Sequence, residues 1–265
     1  MNIKTLLKKI ESRKISSKDA LELYKNMNVR NIKSSSAEPL YFRPVCEKNK
    51  LTAVNREPST VNRQLSTVLI FDTNEDFYQE LCKIYEKAVL IKPGKKYNVG
   101  TKTEKLIYEI NPGNKEDYQQ LTESLYEMNI VPEQIIWMWQ KAVSKADSTD
   151  KKLTSGIYAL FLFTQSFMKR KPEKVRMITV SGSQLPVDGY QGAEFDLCFD
   201  QAVSGFAKTL RMENPKFVYS LIEFENLSDT EFVIDKISKE FEADDIEVRY
   251  ENQKRLVKNF EEFNI

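Results

Sequence analysis

The sequence predicts an α/β fold in which a mostly parallel sheet is covered by helices on both faces. Short, nearly continuous apolar runs, such as residues 68–71 and 88–91, recur along the chain. Runs of this kind are typical of strands that are buried on both sides, as in parallel sheets. Segments with helical periodicity separate the runs, as crossover connections between parallel strands require.

The predicted elements follow one another in a regular order after residue 40. The strands are expected at 41–45, 68–71, 88–91, 106–110, 134–139, 174–180, 217–224, 246–250 and 255–257. The helices are expected at 76–85, 116–128, 153–169, 195–212 and 231–241. The last two strands flank Asn252, as in a hairpin. This order predicts a truncated Rossmann-like sheet over residues 41–265.

A helical hairpin is predicted at residues 1–28, followed by a polar linker at 29–40. Apolar side chains recur at helical spacing in both of its helices. The hairpin is either a linker or a docking or dimerisation element, and in the last case the protein is a homodimer. The candidate self-association residues are Ile3, Leu6, Leu7, Ile10, Ala20, Leu23, Tyr24 and Met27.

The composition is that of an ordinary soluble protein and excludes several partners. Lys and Arg number 40 against 39 Asp and Glu, so the net charge is +1. A charge so close to zero does not indicate a partner among nucleic acids or anionic membrane surfaces. The first residues are charged throughout, and the apolar stretch at 156–167 is too short to cross a bilayer. We therefore expect a cytoplasmic protein.

The residue types present also limit which reactions the chain could catalyse and which metal ions it could bind. The chain has no histidine, which removes the commonest proton shuttle and the commonest zinc ligand. Its three cysteines, Cys46, Cys82 and Cys198, are scattered, which favours free thiols over disulfides. We expect no metal site.

The turn after the strand at 68–71 stands where a nucleotide-binding βαβ unit would hold a pyrophosphate. That site needs glycines and free N–H groups at a helix N-terminus. The turn instead reads Asp72-Thr73-Asn74-Glu75-Asp76, with three acidic residues and no glycine. Thr73 is expected to cap the helix, with the acidic residues at its positive end. We expect no cofactor-binding site here.

Two other segments resemble functional motifs. Ser181-Gly182-Ser183 is either a small-anion site or a plain loop, and the single glycine favours the loop. Tyr250 and Lys254 have the Tyr-x-x-x-Lys spacing of short-chain reductases. That spacing presents both groups together only on a helix, whereas these residues lie in a predicted hairpin. The sequence therefore predicts no catalytic residue.

Residues 40–260 resemble a known family. The segments that carry the resemblance are 41–45 (YFRPV), 67–72, 88–94 (AVLIKPG), 108–118 (YEINPGNKEDY), 134–139 (QIIWMW), 205–215 (GFAKTLRMENP), 218–224 and 247–257 (EVRYENQKRLV). In this order and spacing they are similar to the structural, non-catalytic half of ketoreductase domains in modular polyketide synthases of the trans-acyltransferase type. One departure is Trp137, which stands where members of the family usually have histidine.

The resemblance implies a ketoreductase domain made of two halves with different functions. In the family a catalytic half follows, with a glycine-rich NADPH loop and the Ser, Tyr and Lys or Asn residues that reduce a β-ketoacyl chain on an acyl carrier protein. That half would begin after Ile265, and none of its residues matches a position here. The chain alone would then be no enzyme and would bind no cofactor. Its partners would be the catalytic half, neighbouring synthase domains and the carrier protein.

The resemblance further implies that the first strand and the final hairpin lie against the catalytic half. The interface candidates are Tyr41, Phe42, Val45, Val248, Tyr250, Leu256 and Val257, although ordinary strand core explains them equally well. Two alternatives stay open. The chain is a self-contained reductase in which Tyr250 and Lys254 supply the acid, or it is a free-standing interaction module.

Overall fold

The computed structural model of the chain describes residues 41–48, 65–102, 105–142, 147–182 and 192–263. The strands in this part of the chain are β1 (Tyr41–Lys48), β2 (Leu65–Phe71), β3 (Tyr85–Pro93), β4 (Asn98–Lys102), β5 (Lys105–Ile110), β6 (Gln134–Trp137), β7 (Val175–Gly182), β8 (Phe217–Phe224), β9 (Glu247–Glu251) and β10 (Lys254–Phe263). They form one sheet in the order β1-β10-β9-β8-β7-β6-β2-β3-β5-β4. The predicted hairpin at 1–28 and linker at 29–40 lie outside the described residues.

The centre of the sheet is parallel. Strand β2 pairs in parallel with β3 on one side and with β6 on the other, and the parallel pairing continues through β7 and β8 to β9. Strand β4 joins β5 antiparallel, and β10 joins β9 antiparallel. The predicted Rossmann-like α/β class is thus confirmed.

Helices lie on both faces of the sheet. They are α1 (Glu75–Leu81), α2 (Lys115–Glu127), a 3₁₀ helix (Trp139–Ala142), α3 (Thr149–Leu153), a π-helical segment (Thr154–Tyr158), α4 (Ala159–Met168), α5 (Gly192–Glu213) and α6 (Thr230–Glu240). One core lies between the sheet and α2, α4 and α5, and it contains Leu69 and Phe71 of β2. The opposite core contains Val68 and Ile70 together with residues of α1 and α6. Successive residues of β2 therefore enter opposite cores, which is why the strand reads as a continuous apolar run.

Most element bounds differ from the predicted ones by a few residues, and the predicted helix at 153–169 is divided into α3, the π-helical segment and α4. Helix α1 ends at Leu81, and Tyr85, which fits the helical spacing, instead begins β3 and donates a hydrogen bond to Gln134 at 2.6 Å. Strand β4 was not predicted, because its sequence NVGTK contains residues that are depleted in strands. Strand β6 ends at Trp137, two residues earlier than expected.

The chain divides into two compact units. The larger is Val45–Asn259, and the smaller comprises Met1–Pro44 and Phe260–Ile265. Within the larger unit, Asn252 and Gln253 form the two-residue hairpin turn between β9 and β10, both with positive φ (47° and 59°). None of the helices in the described ranges combines the length and apolarity needed to cross a bilayer.

Candidate functional site

In an open α/β sheet a ligand crevice lies at the carboxyl ends of the strands, where the strand order reverses. Here the chain runs from β2 outward to β3 and β5, and then returns to β6 on the other side of β2. The reversal therefore falls between β2 and β6. The residues that follow these two strands are Asp72 and Met138. A nucleotide bound to this sheet would be expected at this edge.

The turn after β2 is closed by helix capping. Asn74 accepts hydrogen bonds through Oδ1 from the backbone N–H groups of Asp76 (2.9 Å) and Phe77 (3.2 Å). The capping residue is therefore Asn74 and not Thr73, whose own N–H donates to Asp72 Oδ1 at 2.8 Å. Glu75 forms an ion pair with Lys92 of β3 at 2.8 Å. Two of the N–H groups at the start of α1 that could receive a phosphate are therefore already bound to Asn74.

Asp72 is a buried carboxyl group at the same edge. Its side chain is 4% exposed, and Oδ2 has no hydrogen-bond partner among the described residues. Burial raises the pKa of Asp72, while the positive charge of Lys141 and the hydrogen bonds from the backbone of Thr73 and Asn74 oppose the shift. A phosphate placed at this turn would meet a buried carboxyl group.

Trp139 lies after β6, at the edge where the strand order reverses. It begins the 3₁₀ helix after β6 and is fully buried. Its indole Nε1–H crosses β2 and donates to the carbonyl oxygen of Ile91 at the end of β3, at 2.9 Å. The ring packs edge-on against Phe71 with centroids 5.2 Å apart, and Trp137 lies 5.4 Å away. The described residues at this edge therefore do not fit a dinucleotide.

The other two motif candidates do not form a site either. Ser181 is buried within β7, and Ser183 lies outside the described residues. Tyr250 is buried and donates its hydroxyl proton to Glu240 Oε1 at 2.6 Å, whereas Lys254 is exposed on the next strand. Burial and the neighbouring Glu240 carboxylate raise the pKa of Tyr250, the opposite of what a reductase tyrosine needs. Among the described residues no group of three or more metal-ligating side chains could hold a metal ion.

The predicted interface residues divide into three groups. Val248, Tyr250 and Val257 are buried in this chain. Val45 and Leu256 are half-buried. Tyr41 and Phe42 belong to β1, but the structure describes only their backbone. The self-association candidates Ile3 to Met27 lie outside the described ranges, so both interface predictions stay predictions.

The structure exposes aromatic residues that the sequence analysis did not select. Tyr158 and Phe161, on the π-helical segment and α4, are 53% and 46% exposed. A signal was present, because residues 153–169 are apolar on nearly every side. A helix of that kind is usually buried all round.

Comparison with known families identifies the chain. The sequence model of the family described as "Beta-ketoacyl synthase-like, N-terminal" matches residues 66–240, which is more than half of the 265 residues. The chain belongs to this family. No curated protein sequence matches it. The name of the beta-ketoacyl synthase-like, N-terminal family does not by itself assign a reaction to the chain.

Solved structures share the fold of this family member at low sequence identity. An N-terminal ketoreductase from the macrolactin assembly line matches 99% of the chain with a TM-score of 0.64 and 19% identity. A multidomain structure of a keto acid-selecting NRPS module, described as adenylation, ketoreductase and pseudo Asub, matches 92% with a TM-score of 0.68 and 16% identity. A C2-type ketoreductase from a modular polyketide synthase matches 84% with a TM-score of 0.55 and 10% identity.

These matches confirm the resemblance that the sequence indicated. The chain has the fold of the ketoreductase structural subdomain of assembly-line synthases. It spans 51% of the macrolactin ketoreductase chain and 20% of the NRPS module. This beta-ketoacyl synthase-like chain therefore corresponds to one part of much longer proteins.

Proposed function

We propose that this chain is the non-catalytic structural half of a polyketide synthase ketoreductase. It stabilises and positions a separate catalytic half, which uses NADPH to reduce β-ketoacyl chains on an acyl carrier protein. The chain itself binds no cofactor and performs no reduction. It works in the cytoplasm, beside the neighbouring domains of the synthase.

The edge of the sheet between β2 and β6 is the observation that supports this proposal most. The acidic turn after β2 is capped by Asn74, and Trp139, 0% exposed, packs in the core beside Phe71. The sheet still offers a rigid surface, because its two cores are packed on both faces. A rigid surface that carries no active site is suited to holding another domain in place.

The first experiment tests whether the chain binds NADPH. The only two tryptophans of the sequence, Trp137 and Trp139, are buried beside each other at the end of β6, so their fluorescence reports on this edge of the sheet. Titration of NADPH into the purified chain is expected to leave the emission unchanged, after correction for absorption by the cofactor. Saturable quenching at micromolar NADPH would contradict the proposal and favour a self-contained reductase. The catalytic half of the same synthase is the positive control.

The second experiment tests the structural role. A ketoreductase catalytic half from the same synthase is expressed separately, and its thermal unfolding and its reduction of a β-ketoacyl thioester are measured with and without this chain. A partner that binds only the folded catalytic half adds about 2.7 kcal/mol to its stability at 100 times the dissociation constant. We expect that stabilisation and a higher rate of reduction. A catalytic half that is equally stable and active alone would refute the role and favour a free-standing interaction module.

A further inference from the structure

Basic side chains collect at the edge of the sheet where the parallel strands β7 and β8 start. The segment between α4 and β7, residues 169–174, reads KRKPEK, with four basic residues and one acidic residue. The N–H of Val175 donates to the carbonyl oxygen of Lys216 at 2.9 Å, and Val175 is in register with Phe217. Lys174 and Lys216 therefore precede neighbouring strands, which lie about 4.8 Å apart. Four lysines at this edge are exposed: Lys169, Lys171, Lys174 and Lys216.

These four lysines have no counter-charge within the chain. Arg170, in the same segment, pairs with Glu123 of α2 at 3.3 Å. In the part of the chain that the structure describes, no carboxylate lies within ion-pairing distance of the four lysines, and the exposed Glu173 and Glu213 pair with none of them. The net charge of the whole chain is only +1, so this edge is more positive than the chain as a whole.

The end of α4 explains only part of this charge. Cations at the C-terminus of a helix are stabilised by the helix dipole, which accounts for Lys169 and Lys171. Lys174 and Lys216 precede strands and receive no such stabilisation. Two neighbouring ammonium groups without a counter-charge repel each other, and a negatively charged partner would remove that repulsion.

Exposed methionines flank the basic segment. Helix α4 contacts α2 on one side and α5 on the other. Met128 directly follows α2 and is 42% exposed, whereas Met212, in the last turn of α5, is 86% exposed. Methionine is an adaptable apolar side chain that is common on binding surfaces. We call these two methionines and the four lysines the amino-edge surface.

We propose that the amino-edge surface is a docking site for an acidic segment of another protein, whose apolar side chains contact Met128 and Met212. This inference does not depend on the proposed function. Unpaired lysines select carboxylates by charge complementarity. Proteins that bind single-stranded nucleic acids stack the bases on aromatic side chains, whereas the exposed apolar side chains beside these lysines are methionines. The observations therefore favour a protein partner.

The probe is a fluorescent peptide in which leucine and glutamate recur at helical spacing, and its binding to the complete chain is measured by anisotropy. A peptide with glutamine in place of every glutamate is the control. We expect the acidic peptide to bind, and to bind about tenfold more weakly when the salt concentration rises from about 50 to about 300 mM, because salt screens exposed charges. The glutamine peptide is expected not to bind.

Two double variants of the chain locate the site. Lys174→Gln with Lys216→Gln removes two charges from the amino-edge surface. Lys95→Gln with Lys96→Gln is the matched control, because these exposed lysines follow the carboxyl end of β3, at the opposite edge of the sheet. We expect the first pair to weaken binding of the acidic peptide about fivefold, since each change deletes an exposed ion pair with the peptide. The control pair is expected to bind like the original chain.

Met212→Ser tests the apolar contact. It is expected to weaken binding of the leucine-containing peptide about threefold, because less apolar surface is buried, and to leave binding of a peptide of glutamate alone unchanged. Equal affinity of the variant and the original chain for the leucine-containing peptide would overturn the apolar contact. Thermal unfolding is expected to be unchanged in all of these variants, since the substituted side chains are exposed.

Three further results would overturn the inference. The first is an acidic peptide that does not bind at low salt. The second is equal weakening by the two lysine pairs, which would show a general attraction to positive charge. The third is tighter binding of a single-stranded oligonucleotide or of phosphatidylserine vesicles than of the peptide, which would assign the surface to another class of partner. None of these measurements involves the catalytic half, so they leave the proposed function to its own experiments.

Discussion

At the residue scale, Asp72 shows how an acidic residue is tolerated at the edge of a buried strand. One carboxyl oxygen accepts the N–H of Thr73, whereas Oδ2 is buried without a partner among the described residues. Desolvation of this kind disfavours the charged form, which is why the pKa of Asp72 is raised. The ionised side chain therefore weakens the folded state.

Asp72→Asn is expected to make the chain more stable at pH 7. The amide oxygen keeps the bond to Thr73 and the buried charge is removed. Because the folded-state pKa of Asp72 is raised, the cost of ionisation is complete only above that pKa. It disappears as the pH falls to about 4, where the unfolded carboxyl also becomes protonated. Urea unfolding at pH 7 and pH 4 measures both stabilities.

The exposed Asp76 in the same turn is the control. Asp76→Asn is expected to change the free energy of unfolding by less than about 0.5 kcal/mol, as surface substitutions usually do. An Asp72→Asn variant that is less stable than the original at pH 7 would show that Lys141 stabilises the carboxylate by more than its burial costs.

At the element scale, a buried ionic network fastens helix α6 to the final hairpin. Arg255 of β10 forms two bonds to Glu240 at the end of α6 (2.6 and 2.9 Å) and one to Asp245 (2.6 Å). The hydroxyl of Tyr250 also donates to Glu240. The side chains of Arg255 and Glu240 are 6% and 1% exposed. The hairpin is therefore held by charges that are both paired and out of water.

Arg255→Met is expected to destabilise the chain by about 3–5 kcal/mol, because the carboxylate of Glu240 stays buried without its partner. The double variant with Glu240→Met is expected to recover part of that loss, since no charge is then stranded. Denaturant unfolding gives both values. Lys83→Met, which breaks the exposed pair with Glu80, is the control and should cost less than about 1 kcal/mol. Equal losses in the single and double variants would contradict this explanation.

The elements that the sequence predicted well are those buried on both faces. Strand β8 was placed at the bounds that the structure gives it, Phe217–Phe224, because apolar residues on both of its sides face the two cores. Tyr85 was misassigned because its spacing from Leu81 fits a helix equally well, and only its pairing with Leu65 of β2 places it in a strand. Local periodicity could not distinguish these possibilities.

At the scale of the whole molecule, the predicted hairpin at 1–28 is the candidate for self-association. If the hairpin dimerises the protein, a chain that begins at residue 29 is expected to sediment as a monomer while the complete chain sediments as a dimer. Its thermal unfolding is expected to be unchanged, because Val45–Asn259 forms a compact unit by itself. Sedimentation velocity over a range of concentrations measures the difference.

Two results would contradict that expectation. A dimer that persists without residues 1–28 would place self-association elsewhere in the chain. A lower unfolding midpoint in the shortened chain would show that the first residues stabilise the fold of the larger unit.

The candidate site was only partly readable from the sequence. The sequence has no glycine and three acidic residues directly after β2. This composition predicted a turn that is unsuited to a pyrophosphate. The capping residue was misassigned to Thr73, because the choice between neighbouring polar residues depends on where the first helical N–H groups point. Trp139 was placed in a strand, and its packing beside Phe71 was not foreseen.

The amino-acid sequence by itself determined the alternation of buried strands and helices, the lack of histidine chemistry and the missing glycine turn. These follow from residue type and from short-range spacing. Only the tertiary structure decided that the indole of Trp139 reaches Ile91, 48 residues away, and that Phe161 faces water. The physical reason is that strand order and helix packing bring distant residues together, whereas periodicity specifies a face without specifying what covers it.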